Sequence, residues 1–553
     1  MPPRYRELLD QLRREFPQPV SDPVHDAYVA FSVLRALDRV DALKSQAPIL
    51  GAPVEPDFAA ALAARVTQQG EPLEQVISDL VKHLEGMFLW GHPRSQINVI
   101  SHPSIASIIG VLLASTYNPN LVSDESGRGF SAAEVRATAM AAELVGYDAE
   151  KSGGVFTFGG TGGMLYGVKV GLEKAVPGAL RTGLSQPTVV LASAHSHACT
   201  SNVSAWLGIG QDNVVLVPTE SDHSVDLALL AEAARQALRA GKRIAAIVAT
   251  MGSTDAFGID DLLRIHALRD ELVGEFSLDY TPHIHADAVI GWAWSVFNDY
   301  DFLRNELGFR GRTVRALAKA HHRIRHLGLA DSISIDFHKT GFAPYISSLV
   351  IFRDREDLRH ILRPRESLPY LFQSGMHHPG MFTLETSRSA TGPMAALANM
   401  LLLGREGLRV LLGHIVEMAE VLREALVAHP DLTVLNEENV GPVTLFRVYP
   451  HGVDTFTIKE RERSDPRFQQ QVAELNAYNR RVFERVHAEA LTGHGIVISM
   501  TDAYTHSDFG VPISALKSYV LSPFTDEARM HEVIRHVIAA RDAVDADAPL
   551  GKG

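Results

Sequence analysis

The stretch of sequence that decides how the central part of the chain folds reads Ser332-Ile333-Ser334-Ile335-Asp336-Phe337-His338-Lys339-Thr340-Gly341. Its first half is a short apolar strand, and Lys339 follows where that strand gives way to a loop. Side chains that carry chemistry in α/β proteins gather at such strand ends. A desolvated amine at this position can lose its proton and attack a carbonyl group, whereas a solvated lysine at the same place has no such function.

Strand-like segments recur on both sides of this stretch, with helical patterns between several of them. We expect strands at residues 188–193, 213–218, 244–250, 283–288, 332–336 and 346–352. Alternation of this kind predicts an α/β fold with a mostly parallel sheet that is covered by helices on both faces. Ahead of these strands, Ser131-x-x-Glu134 has the pattern of a capping box and predicts the start of an Ala-rich helix that ends near Gly146.

The length of the chain, 553 residues, exceeds that of one ordinary core. Residues 1–125 show amphipathic runs separated by Gly and Pro, which indicate some helices. Beyond residue 390, a long helical pattern, four strand-like runs and a last helical pattern indicate a smaller α+β unit. The predicted organisation is an N-terminal helical segment (1–125), a large domain (126–390) and a small C-terminal α+β domain (391–553).

The charge balance excludes a general polyanion binder, because 65 acidic residues outnumber 52 Lys and Arg residues and leave a net charge of -13. The single cysteine, Cys199, excludes an intramolecular disulfide bond and fits a reducing compartment. The first residues lack the apolar core of a secretion signal, and the longest apolar stretch, 105–115, is too short to cross a bilayer. We therefore expect a cytoplasmic protein that binds neither nucleic acid nor membrane.

A glycine-rich turn lies between a strand-like pair and a helical run, and it reads Thr157-Phe158-Gly159-Gly160-Thr161-Gly162-Gly163-Met164-Leu165. Such a turn exposes backbone amides at the start of a helix, where the donors and the helix dipole favour a phosphate group. The spacing matches neither a P-loop nor a dinucleotide-binding fingerprint. An ordinary glycine turn without a ligand would have the same sequence.

Histidines and a carboxylate stand at two other predicted strand ends. His283, His285 and Asp287 share one face of a strand, which is compatible with a metal site or with histidines that only pack. A buried Asp287 could instead keep a pyridine ring protonated and so make it an electron sink. His195 and His197 are compatible with metal ligands, polar loop residues or an imidazole that stacks on an aromatic cofactor.

The occurrence of all these features in one order decides among the alternatives. A phosphate-type turn, a stacking histidine, a carboxylate for a pyridine nitrogen and a lysine all serve one cofactor, pyridoxal 5'-phosphate. A zinc site would leave the glycine turn and Lys339 without a role. The sequence therefore predicts a pyridoxal-phosphate site and no metal ion.

Over residues 92–523 the sequence strongly resembles the group II pyridoxal-phosphate decarboxylases, which include glutamate, tyrosine and aromatic-amino-acid decarboxylases. The resemblance rests on His92-Pro93-Arg94, Tyr117-Asn118-Pro119-Asn120, Phe156-Thr157-Phe158-Gly159-Gly160-Thr161, Ala194-His195-Ser196, Ala249-Thr250-Met251-Gly252-Ser253-Thr254, His285-Ala286-Asp287-Ala288, Asp336-Phe337-His338-Lys339, Ser387-Arg388-Ser389 and Gly404-Arg405-Glu406-Gly407. It implies fold type I, the aspartate-aminotransferase type, with a seven-stranded sheet in the large domain. It also implies decarboxylation of an L-amino acid to an amine by a homodimer with the site at the subunit boundary.

The resemblance also implies a role for individual residues. Lys339 would form the Schiff base with the cofactor, Asp287 would pair with the pyridine nitrogen, His195 would stack on the ring and Thr254 would lie beside it. The implied phosphate contacts come from Gly160 and Thr161, with help from Ser334 or His338. Arg388 matches an arginine that meets the substrate carboxylate or organises the site around it.

The chain departs from the family where the proton donor is expected. Many relatives place a loop tyrosine between the cofactor lysine and the matching arginine, but the only tyrosines in that interval are Tyr345 and Tyr370. We expect Tyr370, His377 or His378 to supply the proton. Otherwise the reaction would turn toward oxidative deamination and an aldehyde.

Two further expectations concern the substrate. Gly291-Trp292 replaces a pair of glycines that is common in the family, and Trp292 could crowd the entrance to the site. Ser101 and His102 are candidate lining residues of the pocket. A carbon-carbon lyase that resembles the sphingoid-phosphate lyases would carry the same cofactor residues, but the sequence shows no membrane anchor. A retained fold without chemistry is disfavoured, because the cofactor residues are all present.

Overall fold

The structure is a computed structural model that describes residues 4–547. These residues form two compact units. One unit comprises the described residues up to Leu89 together with Arg485–Val497. The other comprises Trp90–Glu484 together with the described residues from Ile498 onward.

Helices and strands are numbered in chain order over the described residues. The α-helices are α1 (Arg4–Leu12), α2 (Pro23–Asp41), α3 (Phe58–Leu62), α4 (Leu73–Lys82), α5 (Ile105–Tyr117), α6 (Asp124–Gly127), α7 (Gly129–Leu144), α8 (Gly160–Ala175), α9 (Ala179–Thr182), α10 (Cys199–Trp206), α11 (Leu227–Arg239), α12 (Leu262–Glu275), α13 (Gly311–Ile324), α14 (Phe337–Thr340), α15 (Thr391–Val427), α16 (Ile458–Ser464), α17 (Gln469–Leu491) and α18 (Glu527–Asp547). The strands are β1 (Ser95–Gln96), β2 (Gly153–Thr157), β3 (Thr188–Ser193), β4 (Val214–Val217), β5 (Arg243–Thr250), β6 (His283–Asp287), β7 (Ser332–Asp336), β8 (Ser348–Phe352), β9 (Leu432–Val434), β10 (Val443–Val448), β11 (Val497–His506) and β12 (Pro512–Tyr519).

A seven-stranded sheet with the order β2-β8-β7-β6-β5-β3-β4 forms the centre of the larger unit. Strands β7, β6, β5, β3 and β4 are parallel neighbours, and β8 runs antiparallel to both β7 and β2. All six strands predicted from the sequence are present, and β2 is the seventh. The prediction of an α/β fold with a mostly parallel sheet is confirmed. Strands β6 and β7 are buried along their whole length, as parallel strands with both faces covered must be.

Helix α8 lies directly on this sheet because one of its faces consists of glycines. A Cβ atom on Gly163 would come within 2.3 Å of Ser334 Oγ in β7, and one on Gly167 within 2.1 Å of His285 Nδ1 in β6. A Cβ on Gly171 would come within 2.3 Å of the backbone oxygen of Ala245 in β5. Each interior glycine costs a helix about 1 kcal/mol relative to alanine, so the close packing must offset that cost. These residues are called the glycine face of α8.

A second, five-stranded sheet has the order β1-β11-β12-β10-β9. Strand β12 pairs antiparallel with β11 and with β10, and β10 pairs antiparallel with β9. The side chain of Lys517 in β12 reaches Asp255, with 2.9 Å between Nζ and Oδ1. This ion pair joins the second sheet to the loop that follows β5.

The smaller unit is mainly helical over its described residues. Asp22 caps α2 by accepting hydrogen bonds from the backbone amides of Val24 and His25. Glu74 at the start of α4 forms an ion pair with Arg35 of α2, with 2.8 Å between the charged atoms. These contacts fix α2 and α4 against each other within this unit.

Two details differ from the sequence-based expectations. Helix α7 begins at Gly129, so Ser131 and Glu134 lie inside it and the predicted capping box is wrong. Glu134 is instead buried beside Arg388, because a buried guanidinium needs a counter-charge. The long C-terminal helical pattern is α15, which is interrupted at Gly404 with φ +57°. Within residues 4–547, no helix combines the length and the apolar character that a membrane crossing requires.

Candidate active site

Lys339 lies directly after β7, in the single helical turn α14. Its Nζ atom lies 2.9 Å from Oδ2 of Asp336, and the lysine side chain is only 16% exposed. Burial disfavours the ammonium form, but the carboxylates of Asp336 and Asp287 outweigh burial and raise the pKa of Lys339. The two carboxylates therefore favour the ammonium form of Lys339 in this arrangement.

Asp336 connects the lysine to the glycine turn. It is 1% exposed and accepts a hydrogen bond from Ser348 Oγ at 2.6 Å. A Cβ atom on Gly160 would lie 3.0 Å from Asp336 Oδ2, so only the absence of a side chain leaves space there. Trp292, expected from the sequence to crowd the entrance, is 1% exposed and donates from Nε1 to the backbone oxygen of Asp336 at 3.2 Å. It therefore supports the end of β7 and does not narrow an opening.

The glycine turn has the geometry expected of a phosphate site. Gly159 precedes α8 with φ +125°, a backbone conformation that favours glycine, and α8 begins at Gly160. Thr161 follows, and its hydroxyl is close enough to Cys199 to hydrogen-bond to the thiol. Burial, with the charge of Asp287 nearby, raises the pKa of Cys199 to about 12, so this thiol is neutral. Uncapped amides at the start of a sixteen-residue helix can bind a phosphate group.

Asp287 stands at the end of β6, beside β7. It is 7% exposed, and its Oδ1 atom has no hydrogen-bond partner. Burial raises the pKa of Asp287, while the charges of Lys339 and His197 act in the opposite direction. A buried, unpaired carboxylate oxygen needs a donor, and the protonated nitrogen of a pyridine ring is such a donor. The residues around Lys339 therefore fit pyridoxal phosphate.

The two histidines that follow β3, His195 and His197, have different neighbours in the structure. His197 is close enough to Asp287 to lower the pKa of that carboxyl, and it lines a cavity of about 530 Å³ with Thr254. His195 lines the same cavity, and its ring packs against His223 with 4.4 Å between the ring centroids. Burial lowers the pKa of His195, and the carboxylate of Asp255 acts in the opposite direction. His197 is thus the histidine beside the carboxylate, although the motif match had selected His195.

The histidines of β6 are not metal ligands. Ser332 Oγ lies 2.8 Å from His283 Nε2 and 2.8 Å from His285 Nδ1, and Ser334 Oγ lies 2.9 Å from His285 Nε2. Burial lowers the pKa of both imidazoles to about 3, so they are neutral. Among residues 4–547, no group of three His, Cys, Asp or Glu side chains is arranged to hold a metal ion. Ser334, proposed from the resemblance as a phosphate ligand, is buried under the glycine face of α8.

His338 supports the loop after the lysine. Its Nδ1 atom lies 3.2 Å from the backbone oxygen of Ser347, and its Nε2 atom lies 3.5 Å from Asp336 Oδ2. Ser101 is buried and donates from Oγ to the backbone oxygen of His338 at 3.2 Å. His102 is exposed and packs edge-on against Phe524, with 6.1 Å between the ring centroids.

The guanidinium of Arg388 is bound to other groups of the protein. Its guanidinium forms a two-point ion pair with Glu134, in which Nη2 lies 2.9 Å from Oε2. It also donates to the backbone oxygens of Leu121 at 2.9 Å and Phe156 at 3.3 Å. Both charged side chains are at most 3% exposed. This arrangement matches the second of the two roles inferred from the resemblance, in which the arginine organises the site.

The residues expected to donate a proton are distributed over different places. Tyr370 is 71% exposed, and His378 packs on Phe372 with 5.1 Å between the ring centroids. His377 lines a separate cavity of about 380 Å³ beside β2. Tyr345 is 55% exposed and packs against His338, and the charge of Lys339 acts to lower the pKa of its phenol. The only feature of the sequence that pointed to Tyr345 as a proton donor is its position six residues after Lys339.

Comparison with known proteins identifies relatives that align with almost three quarters of the chain. An L-2,4-diaminobutyrate decarboxylase from Rhizobium meliloti (strain 1021) is 26% identical over 423 residues, which cover 73% of this chain and 74% of that protein. An aspartate 1-decarboxylase from Aliivibrio fischeri (strain ATCC 700601 / ES114) is 25% identical over 429 residues, covering 72% of this chain and 71% of that protein.

Solved structures show the same fold. A crystal structure of Oryza sativa TDC with PLP and tryptamine has a TM-score of 0.76 at 18% identity and covers 95% of this chain and 99% of that one. The fold is therefore fold type I of the pyridoxal-phosphate enzymes. The model of the pyridoxal-dependent decarboxylase conserved domain matches residues 56–299 and 311–448, which is more than half of the chain. The chain belongs to the pyridoxal-dependent decarboxylase family.

Proposed function

We propose that the residues around Lys339 catalyse the pyridoxal-phosphate-dependent decarboxylation of an L-amino acid to the corresponding amine and carbon dioxide. Membership of the family makes the chain a pyridoxal-dependent carboxy-lyase. The observation that carries the residue assignment is the arrangement of two neighbouring strand ends. One presents the buried amine of Lys339, and the other presents the unpaired Oδ1 atom of Asp287.

In this proposal each end of the cofactor has its own protein partner. Lys339 holds it covalently through its amine, Asp287 accepts a hydrogen bond from the ring nitrogen, and the amides from Gly160 and Thr161 hold the phosphate. When bound, pyridoxal phosphate supplies a protonated ring that accepts the electrons of the breaking bond. Asp336 Oδ2, 2.9 Å from the lysine, is the nearest base to take the proton of the ammonium.

The positions of the side chains change several of the roles that the resemblance implied. We assign ring stacking to His197 instead of His195, because the charge of His197 acts on Asp287, the proposed partner of the ring nitrogen. Thr254 shares the cavity with His197 and keeps its place beside the cofactor. Ser334 is given no phosphate contact, and Arg388 is given a positioning role, because their polar atoms already bind other protein groups.

Proton return is assigned to Tyr345. It is the tyrosine whose phenol is coupled to Lys339, and it is held by its contact with His338. Tyr370, His377 and His378 have no described contact that brings them to the lysine. A positioned acid that delivers a proton contributes about 10²- to 10⁴-fold to a rate.

The proposal includes a homodimer in the cytoplasm. Helix α5 exposes several large apolar side chains, among them Ile105 at 78% and Tyr117 at 73%. The remaining members of this apolar surface are Ile108, Ile109, Leu112 and Leu113. A contiguous exposed apolar surface of this kind favours a protein interface, and a second copy of the chain is the occupant we propose.

The test is incubation of the purified protein with pyridoxal phosphate and a panel of L-amino acids, followed by identification of the products by mass. We expect an amine and carbon dioxide, and loss of both products in Lys339→Ala together with loss of the visible absorbance of the bound cofactor. Lys151→Ala, which changes a lysine that is 78% exposed, is the control and should behave as the wild type. Peroxide and an aldehyde in place of the amine would overturn the amine-forming reaction.

A further inference from the structure

Two cavities in the larger unit meet at His195. The cavity of about 530 Å³ that contains His197 and Thr254 is also lined by His195, Tyr504 and Thr505. A second cavity of about 360 Å³ is lined by the same three residues. The two cavities therefore adjoin each other along these side chains, and the first of them lies beside the proposed cofactor site. We refer to the two cavities together as one cleft.

Carboxylates dominate the walls of this cleft. They are Glu220, Glu437, Glu438, Glu460 and Glu462 in the second cavity and Asp255 in the first. The only Lys or Arg side chains that line the two cavities are Lys459 and Arg463. We call this set of six carboxylates, with His195, His223 and Tyr504, the acidic cleft.

Half of the carboxylates are already paired. Glu437 lies 2.9 Å from Lys459, Asp255 lies 2.9 Å from Lys517, and Glu462 lies 3.2 Å from Arg447. Within residues 4–547, Glu220, Glu438 and Glu460 have no Lys or Arg within ion-pair distance. The acidic cleft therefore carries uncompensated negative charge.

A buried histidine with an unpaired ring nitrogen is also among the lining residues of the acidic cleft. His223 is 6% exposed, and its Nδ1 atom has no hydrogen-bond partner. Its backbone has φ +60°, an uncommon conformation for a residue with a side chain. Its ring centroid lies 4.4 Å from that of His195 and 5.9 Å from that of Tyr504. Burial lowers the pKa of His223 to about 4, so the ring is neutral and can accept a hydrogen bond.

We propose that the acidic cleft binds a primary ammonium group and that its ligand is the side-chain ammonium of a diamino acid substrate. Carboxylates supply the opposite charge, the free imidazole nitrogen accepts a hydrogen bond, and the face of Tyr504 attracts a cation. A carboxylate side chain would be repelled, and an apolar one would leave the unpaired groups of the wall unsatisfied. This inference rests on the proposed decarboxylase function, because it names the class of amino acid.

The first test is independent of catalysis. Binding of 1,4-diaminobutane to the wild-type holoenzyme is measured by titration calorimetry and compared with binding to the variant Glu220→Gln/Glu438→Gln/Glu460→Gln. We expect affinity in the wild type that weakens with added salt and falls by about tenfold in the variant, since the variant removes the three unpaired charges that attract the ammonium group. The control Glu150→Gln/Glu306→Gln/Glu406→Gln removes the same charge from exposed positions outside the cleft and should bind as the wild type does.

The second test uses the reaction. L-2,4-diaminobutyrate, L-ornithine and L-lysine are compared with L-norleucine, L-glutamine and L-glutamate at saturating cofactor. We expect the diamino acids to have the highest kcat/KM, and the cleft variant to raise their KM about tenfold with kcat nearly unchanged. Preference for a neutral or acidic amino acid would overturn the inference and leave the decarboxylase function intact. If the diamine binds as expected but no amino acid is decarboxylated, the function fails and the ammonium site stands.

Discussion

The phenol ring of Tyr345 packs against the imidazole of His338, with 3.9 Å between the ring centroids. Its hydroxyl lies 3.4 Å from the backbone oxygen of Val99. Tyr345 is 55% exposed, so its desolvation is partial. This partial desolvation raises the pKa of Tyr345, and the charge of Lys339 acts in the opposite direction. A neutral phenol near the amine that holds the cofactor is placed to deliver a proton.

Replacing Tyr345 by Phe is expected to lower kcat by about 10²-fold or more, because the acid that returns a proton to the substrate carbon is lost. Steady-state kinetics with product identification measures this, and an increased share of aldehyde would accompany the slow step. Tyr370→Phe, at a position that is 71% exposed, is the matched control and should change kcat little. The assignment to Tyr345 fails if the two variants show the opposite order.

Replacing His197 by Ala is expected to weaken cofactor binding and to shift its visible absorbance, because the ring that stacks on it is removed. His195→Ala should leave that absorbance unchanged, since the imidazole faces His223. Absorbance spectra during titration with pyridoxal phosphate compare the two directly. A spectral change confined to His195→Ala would restore the assignment from the motif match.

Replacing Glu134 by Gln is expected to lower the free energy of unfolding by about 3–5 kcal/mol, because it leaves the buried guanidinium of Arg388 without a counter-charge. Urea denaturation measures the effect. Glu356→Gln removes one partner of an exposed ion pair with Arg359 and serves as the control, for which we expect little change. Equal effects in both variants would mean that the Arg388 pair is not a structural anchor.

The buried histidines of β6 predict a loss of stability in acid. His283 and His285 have their pKa lowered to about 3 by burial, whereas an unfolded histidine titrates near its ordinary value of 6.5. Below about pH 6.5 the unfolded chain therefore binds protons that the folded protein does not. Each histidine should lower the free energy of unfolding by up to about 1.4 kcal/mol per pH unit between that value and about pH 3.

This slope is measured by urea denaturation at several pH values and compared with that of His283→Asn. The comparison is needed because Asp260 acts in the opposite direction: burial raises its pKa to about 7, so the folded state binds that proton first. The variant should show a shallower loss of stability below pH 6.5. Identical slopes would contradict a neutral His283 in the fold.

The sheet was predictable because its strands are apolar runs separated by helical patterns. The ends of β3 and β7 match the prediction residue for residue, and β4, β5, β6 and β8 agree within two residues. Strand β2 was not predicted as a separate strand, since Gly153 and Gly154 weaken its pattern. The prediction of a capping box failed because the same residue spacing occurs inside α7. There Glu134 forms a buried ion pair with Arg388.

The position of a candidate site residue was predictable where a strand end offers a single residue of the required type, as at Lys339 and Asp287. It was not predictable where two similar residues stand close together in the chain. His195 and His197 are separated by one residue, and only the turn after β3 decides which imidazole faces Asp287. Ser334 shows the same limit, because its side chain lies on the face of β7 that α8 covers.

The glycine face of α8 has a consequence for how the site forms. With no side chains between them, the helix backbone packs directly on strands β6 and β7, and such close packing resists relative displacement of the three elements. The amides at the start of the helix, the carboxylate on β6 and the amine after β7 therefore reach their mutual distances when the chain folds. The distances between the groups that would bind the two ends of the cofactor are thus set by the fold of the protein itself.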